Sequence, residues 1–217
     1  MDNEPLNPLP KSDHAGAVAY ALERLHAELS PLFVYHNAGH TESDVLPAVL
    51  RLARLAGLAD PDVHLLAVAA AFHDLGHVRN HIDHERIGVS VIDDVLPRFG
   101  FGAQDIERVS GMIMATRLPQ SPRNEEQALL ADADLDSLGR PDFFVTSRAL
   151  WQERCALGYG VPWQAWLLHQ RDFLQDHCYF TQVARDLRDE GKRRNMARLE
   201  QMIRDGVGPV AIDDSRP

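Results

Sequence analysis

The sequence predicts an all-α protein, a single helical bundle with no significant sheet, and three observations carry that expectation. Apolar residues recur at three- and four-residue spacing along most of the chain, the period of a helix. No stretch alternates apolar and polar residues as a half-buried strand would. The breaks at Pro97, Pro119 and Gly139 are short turns and not domain linkers, so residues 14–205 read as one unit between tails at 1–13 and 206–217.

The elements follow in order. In "HAGAVAYALERLHAELS", Val18, Ala21, Leu22 and Leu25 share one helical face, and Pro31 stops it. The next stripe is Val45, Val49, Leu52, Ala53 and Ala56, ending at Gly57; its helix starts near Ser43, because Pro47 is tolerated only in a first turn. Asp60 then caps a helix with Pro61 at its first position. That third helix runs through "VHLLAVAAAFHDLG", apolar on all sides and so buried in the middle of the fold, with Gly76 as its C-terminal stop. Further helices are expected over 83–96, 103–118, 125–138, 142–157, 162–175 and 181–205. Trp151, Trp163, Trp166, Phe143, Phe144, Phe173 and Phe180 read as the core of the C-terminal helices.

Composition narrows the function classes. With 45% hydrophobic and 25% charged residues over 217, the chain is globular and long enough to bury a core without disulfides. The formal net charge of -10 repels nucleic-acid polymers and leaves small molecules as partners, with a local cation or bound metal to hold any phosphate. The longest apolar run, residues 65–72, is far short of the roughly 20 residues a membrane span needs, and no basic leader opens the chain. Cys155 and Cys178 form no CxxC pair. The expectation is a cytoplasmic protein that neither enters a membrane nor forms disulfides.

The chemistry concentrates at the end of the buried helix. A carboxylate and an imidazole there, Asp74 and His73, cost several kcal/mol unless both are satisfied, and a shared metal ion satisfies them together. Upstream, "VYHNAGHTESDV" sets His36 and His40 four residues apart. Downstream, "ALLADADLDSLG" carries Asp132, Asp134 and Asp136 although aspartate is a weak helix former. Residues two apart point about 200° away from each other on a helix, so Asp132 and Asp134 cannot serve one site alike; one reads as a ligand, the other as a neighbour, and Asp136 as a solvated acidic face. Two imidazoles and two carboxylates suit Mn, Fe, Co, Ni, Zn or Mg, as one ion or two.

These motifs resemble the HD superfamily of metal-dependent phosphohydrolases, an all-helical fold named for its His-Asp doublet. Tyr35-His36-Asn37 with His40, then His73, Asp74 and His77, then Ala133-Asp134-Leu135, are similar to runs in cyclic nucleotide phosphodiesterases. The chain lacks their length and purine pocket and is equally similar in size to small bacterial HD hydrolases of nucleotides. The resemblance implies that His40, His73, Asp74 and Asp134 bind the metal, with Asp132 the alternative to Asp134. It further implies that His36 is the general acid and His77 a functional neighbour. A metal-bound water would be the nucleophile, attacking a small-molecule phosphate ester or anhydride, most plausibly of a nucleotide.

Past the doublet, "HVRNHIDHERIG" adds His81, a solvated loop residue, His84 as a ligand of a second metal, and Glu85 as a base that orients the water. Arg117 and Arg123, and behind them Lys192, Arg193 and Arg194, are the cations that could hold a substrate phosphate. His14, His26, His64, His169 and His177 have no motif context and read as structural or exposed. Two alternatives stand beside the hydrolase: an HD-type di-iron oxygenase, and a non-catalytic signalling or binding module.

Overall fold

A computed structural model describes residues 12–209. The fold is all-helical: α1 (His14–Glu28), α2 (Leu46–Leu55), α3 (Asp60–Phe72), α4 (His84–Val95), α5 (Ala103–Thr116), α6 (Glu125–Asp134), α7 (Phe143–Ala156), α8 (Trp163–Asp176) and α9 (Gln182–Asp205). Among the described residues there is no strand, and no helix is long and apolar enough to cross a membrane.

α3 is the axis. Val63, Leu65, Leu66 and Val68 through Phe72 are all buried, because α1, α2, α5 and α6 pack around it and cover every side. At the far end α9 crosses the short 3-10 turn Asp136–Gly139, where two glycines let the backbones meet. A Cβ on Gly191 would overlap the Gly139 carbonyl oxygen, and one on Gly139 would overlap the Arg188 backbone. One continuous apolar core runs from Ala17 in α1 to Met202 in α9.

Several boundaries differ from expectation for local reasons. The helix expected from Ser43 begins earlier, with a π-helical turn His40–Val45 that runs straight into α2, leaving Pro47 in the first turn of α2. Ala59, not Asp60, caps α3, and Pro61 follows in the first turn. α6 ends at Asp134 and gives way to the 3-10 turn, where continuation to Leu138 was expected. Gly76 is not a left-handed stop: its φ is not positive, and its bareness instead admits the His84 carbonyl, which a Cβ would overlap.

Asp136 is not solvated. It is 3% exposed and takes Arg188 on both oxygens at 2.7 and 2.8 Å and Arg51 at 3.1 Å, a buried fork that ties α2 to α9. Phe180 lies at the surface, against the expectation of a core residue. Of the expected tails, residues 1–11 and 210–217 lie outside the described residues. Within the described part, Asp13 caps α1, Ser12 donates to the Gly100 carbonyl, and the Val207 carbonyl accepts from Trp163.

Candidate metal centre

The centre forms where α3 stops. His73 closes the helix and donates Nδ1–H to the Ala70 carbonyl at 2.7 Å, so its Nε2 lone pair faces outward to Asp74 (3.3 Å) and Asp134 (3.5 Å). Asp74 leaves helical geometry at φ -101, ψ 1, in the bridge region where active-site residues often sit. The chain then tightens into the 3-10 turn Leu75–Val78, which carries His77. Because Gly76 admits the α4 backbone, His84 comes to rest with its ring stacked on His77 at 3.9 Å and Nε2 3.4 Å from Asp74 Oδ1.

His40 reaches the same point from the π-helical turn. Asn37 organises that approach: its Oδ1 accepts from the Gly39 and His40 amides, and its Nδ2 donates to the Val34 carbonyl. His40 Nε2 then lies 3.3 Å from Asp134 Oδ1 and 3.7 Å from Asp74 Oδ2. π-helical turns recur at functional sites, since the extra residue re-aims a side chain.

Two triads of ligand atoms result, each mutually within 4.8 Å: His40, His73 and Asp74, and His36, Asp74 and His77. Asp74 belongs to both. Buried polar atoms are ordinarily hydrogen-bonded, yet His73 Nε2, Asp74 Oδ2 and both ring nitrogens of His77 are buried without a hydrogen-bond partner among the described residues. Lone pairs of neutral imidazoles and carboxylate oxygens gathered this way match the donor set of a divalent cation. The residues present therefore fit the metal that the sequence implies.

The electrostatics agree. Burial pushes the Asp74 carboxyl up, but the charges of the neighbouring imidazoles, His73 first, hold it well below the usual carboxylate range. Burial likewise works against Asp134, and contacts with His40 and His73 hold it low. Burial would lower His73, but Asp74 and Asp134 raise it well above its ordinary value. A field that favours a proton on His73 favours a cation equally, and the two compete for one lone pair. Burial dominates at His77 and lowers it to about 3, so that ring is neutral.

His36 has a different partner. Glu153 on α7, 1% exposed, accepts His36 Nδ1–H at 2.5 Å on Oε1 and the Tyr35 and His36 amides at 2.9 Å on Oε2. A carboxylate can only accept here, so Nδ1 carries the hydrogen and Nε2 is the ring nitrogen left to act. Burial disfavours the imidazolium, but Glu153, with Asp74 and Asp134 behind it, raises the His36 pKa. Glu153 escaped the sequence reading. It sits 117 residues from His36 in an ordinary-looking polar position of "ALWQERCALG", and no spacing in the sequence marks it.

The other expected residues divide. Glu85 is buried beside His84, at 3.5 Å, and lines the same cleft. His81, expected to be a solvated loop residue, is half-buried and stacks on Tyr159 at 5.5 Å. His169, expected to be structural or exposed, is exposed on the cleft wall. Arg117 stands at the cleft in an ion pair with Asp83, at 2.5 Å. Arg123 does not line the cleft; it lines a second pocket, next to the cleft at Arg117 and Leu118, with Gly111, Met114 and Gln127. Lys192, Arg193 and Arg194 are also placed elsewhere: Lys192 donates to the His177 carbonyl, and the two arginines pair with Glu190 on α9.

Asp132 and Asp134 point apart, as their spacing requires. Asp132 is fully buried away from the centre, accepting the Phe180 amide (2.8 Å), the Thr181 amide (2.8 Å) and the Thr181 hydroxyl (2.6 Å) at the start of α9. Asp132→Ala is therefore expected to cost about 2 kcal/mol of stability in urea melts, since it strips the anchor of a helix terminus, while bound metal is unchanged. Asp134→Ala is expected to do the converse. Metal content by mass spectrometry beside the melts separates them, and loss of metal from Asp132→Ala alone would reverse the assignment.

The family model for the HD domain matches residues 12–137. A comparison with curated protein sequences finds no significant match. Among solved structures, the chain is similar to a predicted HD superfamily hydrolase from an uncultured Thermotogales bacterium, with TM-score 0.57 and 18% identity over 89% of this chain and 92% of that one. It is also similar to Bacillus subtilis YpgQ, solved in complex with ADP, with TM-score 0.63 and 20% identity over 91% of this chain and 99% of that one. At these identities the likeness is one of fold.

Proposed function

The chain belongs to the HD domain family, and from that membership we propose that it is a metal-dependent phosphohydrolase acting on a small phosphorylated molecule, a nucleotide. The observation that carries the reading is Asp74, a buried carboxylate shared by two triads of ligand atoms and facing a cleft of about 520 Å³. A cavity of that size suits a nucleotide-sized ligand. That YpgQ was solved with ADP supports the same substrate class.

A divalent ion at Asp74 supplies positive charge beside the phosphoryl group and acidifies a water. The chain's own residues do the rest. His40, His73, Asp74 and Asp134 would hold the ion, and a second would sit between Asp74, His77 and His84, which leaves His36 Nε2 free for proton transfer. His36, kept in one tautomer by Glu153, delivers a proton from Nε2 to the departing oxygen. Glu85, next to His84, orients the attacking water. Arg117 at the rim meets incoming phosphate only by exchanging its Asp83 partner. Exposed, unpaired Cys155 and Cys178 fit work in a reducing cytoplasm.

The test is a screen of nucleotides, cyclic nucleotides and aryl phosphates against metal-stripped protein reloaded with Mn, Co, Ni, Fe or Mg. Turnover of a phosphate ester or anhydride is expected with at least one metal and lost with chelator. Failure with every metal would overturn the reading. The sharing of Asp74 between triads makes the di-iron oxygenase the second reading, and oxygen consumption by iron-loaded protein without phosphate release would favour it.

A further inference from the structure

One cation in the cleft has no role in the chemistry above. The part of the cleft lined from α7 and α8 mixes aromatic Phe143, Trp166 and Phe173 with polar Ser147, His169 and Gln170. Arg154 stands in it, one residue beyond Glu153. Its guanidinium carbon is 4.9 Å from the centre of the Tyr159 ring and 5.7 Å from that of Trp166. Its Nε is buried without a hydrogen-bond partner, and among the described residues no carboxylate pairs with it. Glu153 beside it is committed to His36 and Tyr35.

The contrast with the other cleft arginine is instructive. Arg117 is neutralised by Asp83 on the rim. The charges of Asp74 and Asp134 are met by histidines, and that of Glu153 by His36. Of the two arginines lining the cleft, Arg154 is the one that no carboxylate neutralises among the described residues. An arginine stacked on rings is held flat with its donors in a fixed plane, which suits a phosphate oxygen better than a mobile lysine does.

We propose that Arg154 is the substrate anchor of this cleft, taking a phosphate oxygen of the substrate on a guanidinium backed by Tyr159 and Trp166. The inference deepens the phosphohydrolase reading and rests on it for the identity of the anion. It makes the cleft selective for phosphate-bearing ligands before any metal is bound. The phosphate it takes is either the one next to the organic body or a second one beyond it, and the two are separable by experiment.

The experiment is calorimetric titration in the presence of chelator with adenosine, AMP and ADP, on the wild-type chain, Arg154→Gln and Arg154→Lys. Wild type is expected to bind at least one nucleotide more tightly than adenosine. Arg154→Gln is expected to weaken that nucleotide roughly tenfold to a hundredfold, the size of a charge-assisted hydrogen bond, with adenosine unchanged. Arg154→Lys should fall between, since it keeps charge and loses the fork. Loss for AMP and ADP alike assigns the phosphate next to the ribose; loss for ADP alone assigns the outer one.

Equal losses for adenosine and the nucleotides would make Arg154 a packing residue and overturn the inference. So would no loss, or no binding of either nucleotide by wild type at millimolar concentration. Failure of the hydrolase reading looks different: a selective loss in Arg154→Gln without turnover of any phosphate would leave the anchor standing and remove the reaction. Turnover that survives Arg154→Gln with unchanged KM and nucleotide affinity would do the reverse. Thermal melts of the two variants, expected to match wild type, keep an unfolded variant from imitating the result.

Discussion

Asp74→Asn is expected to lower kcat/KM by a factor on the order of 10³ or more and to empty the metal centre, with the fold retained. The substitution keeps the size of the side chain and removes its charge. Its oxygens now serve both sides: Oδ2 lies 3.3 Å from His73 Nε2 and 3.7 Å from His40 Nε2, and Oδ1 lies 3.4 Å from His84 Nε2 and 3.8 Å from His77 Nε2. An amide offers one weak acceptor in place of two anionic ones, so both triads lose their common member at once. Metal content by mass spectrometry and steady-state kinetics on the substrate found in the screen measure the two effects together. A variant that kept full metal occupancy and full rate would remove Asp74 from the centre.

The second large effect is expected at Glu153, whose contacts are His36 and the Tyr35 amide and which would act on the proposed reaction through His36. Glu153→Gln keeps a hydrogen-bond acceptor but withdraws the negative charge that favours the imidazolium, and its amide can face His36 with either end. The expected loss is about a hundredfold in kcat, within the range attributed to a positioned general acid. Three readouts separate this from a structural defect. The loss should be large for substrates with alkyl leaving groups and small for nitrophenyl phosphate, whose leaving group needs no proton. His36→Gln combined with Glu153→Gln should cost little more than either alone, because the two act as one unit. The acidic limb of kcat should persist while the basic limb moves to lower pH. The sign follows from the raised pKa of His36: its protonated form survives to higher pH only while Glu153 is charged beside it. Equal losses for both substrate types would leave Glu153 as scaffold alone.

The same structure explains why some of the site could be read in the chain and some could not. Helical spacing and a segment apolar on every side were enough to expect an all-helical fold with α3 at its centre, because burial on all faces has one meaning in such a bundle. The His-Asp doublet was equally legible, since two polar groups closing an apolar helix require a partner wherever they are found. The alternation in "ADAD" said that Asp132 and Asp134 part company but not which way each turns. Helix phase is readable from spacing, whereas the element facing each side is not. Asp136 shows the same limit. It read as a solvated acid until Arg51 and Arg188, brought in by α2 and α9, enclosed it.

What the sequence alone determined about this protein is the helical period, the burial of α3 and the residue types available for metal and proton chemistry, all of which depend on neighbours within a few turns. What only the tertiary structure decided is the company those residues keep: Asp134 with His40, Asp132 with the start of α9, Glu153 with His36, and Arg154 with two rings and, among the described residues, no carboxylate. The first set follows from local periodicity. The second follows from where helices distant in the chain cross, and an ion pair or orphaned donor exists only once that crossing is made.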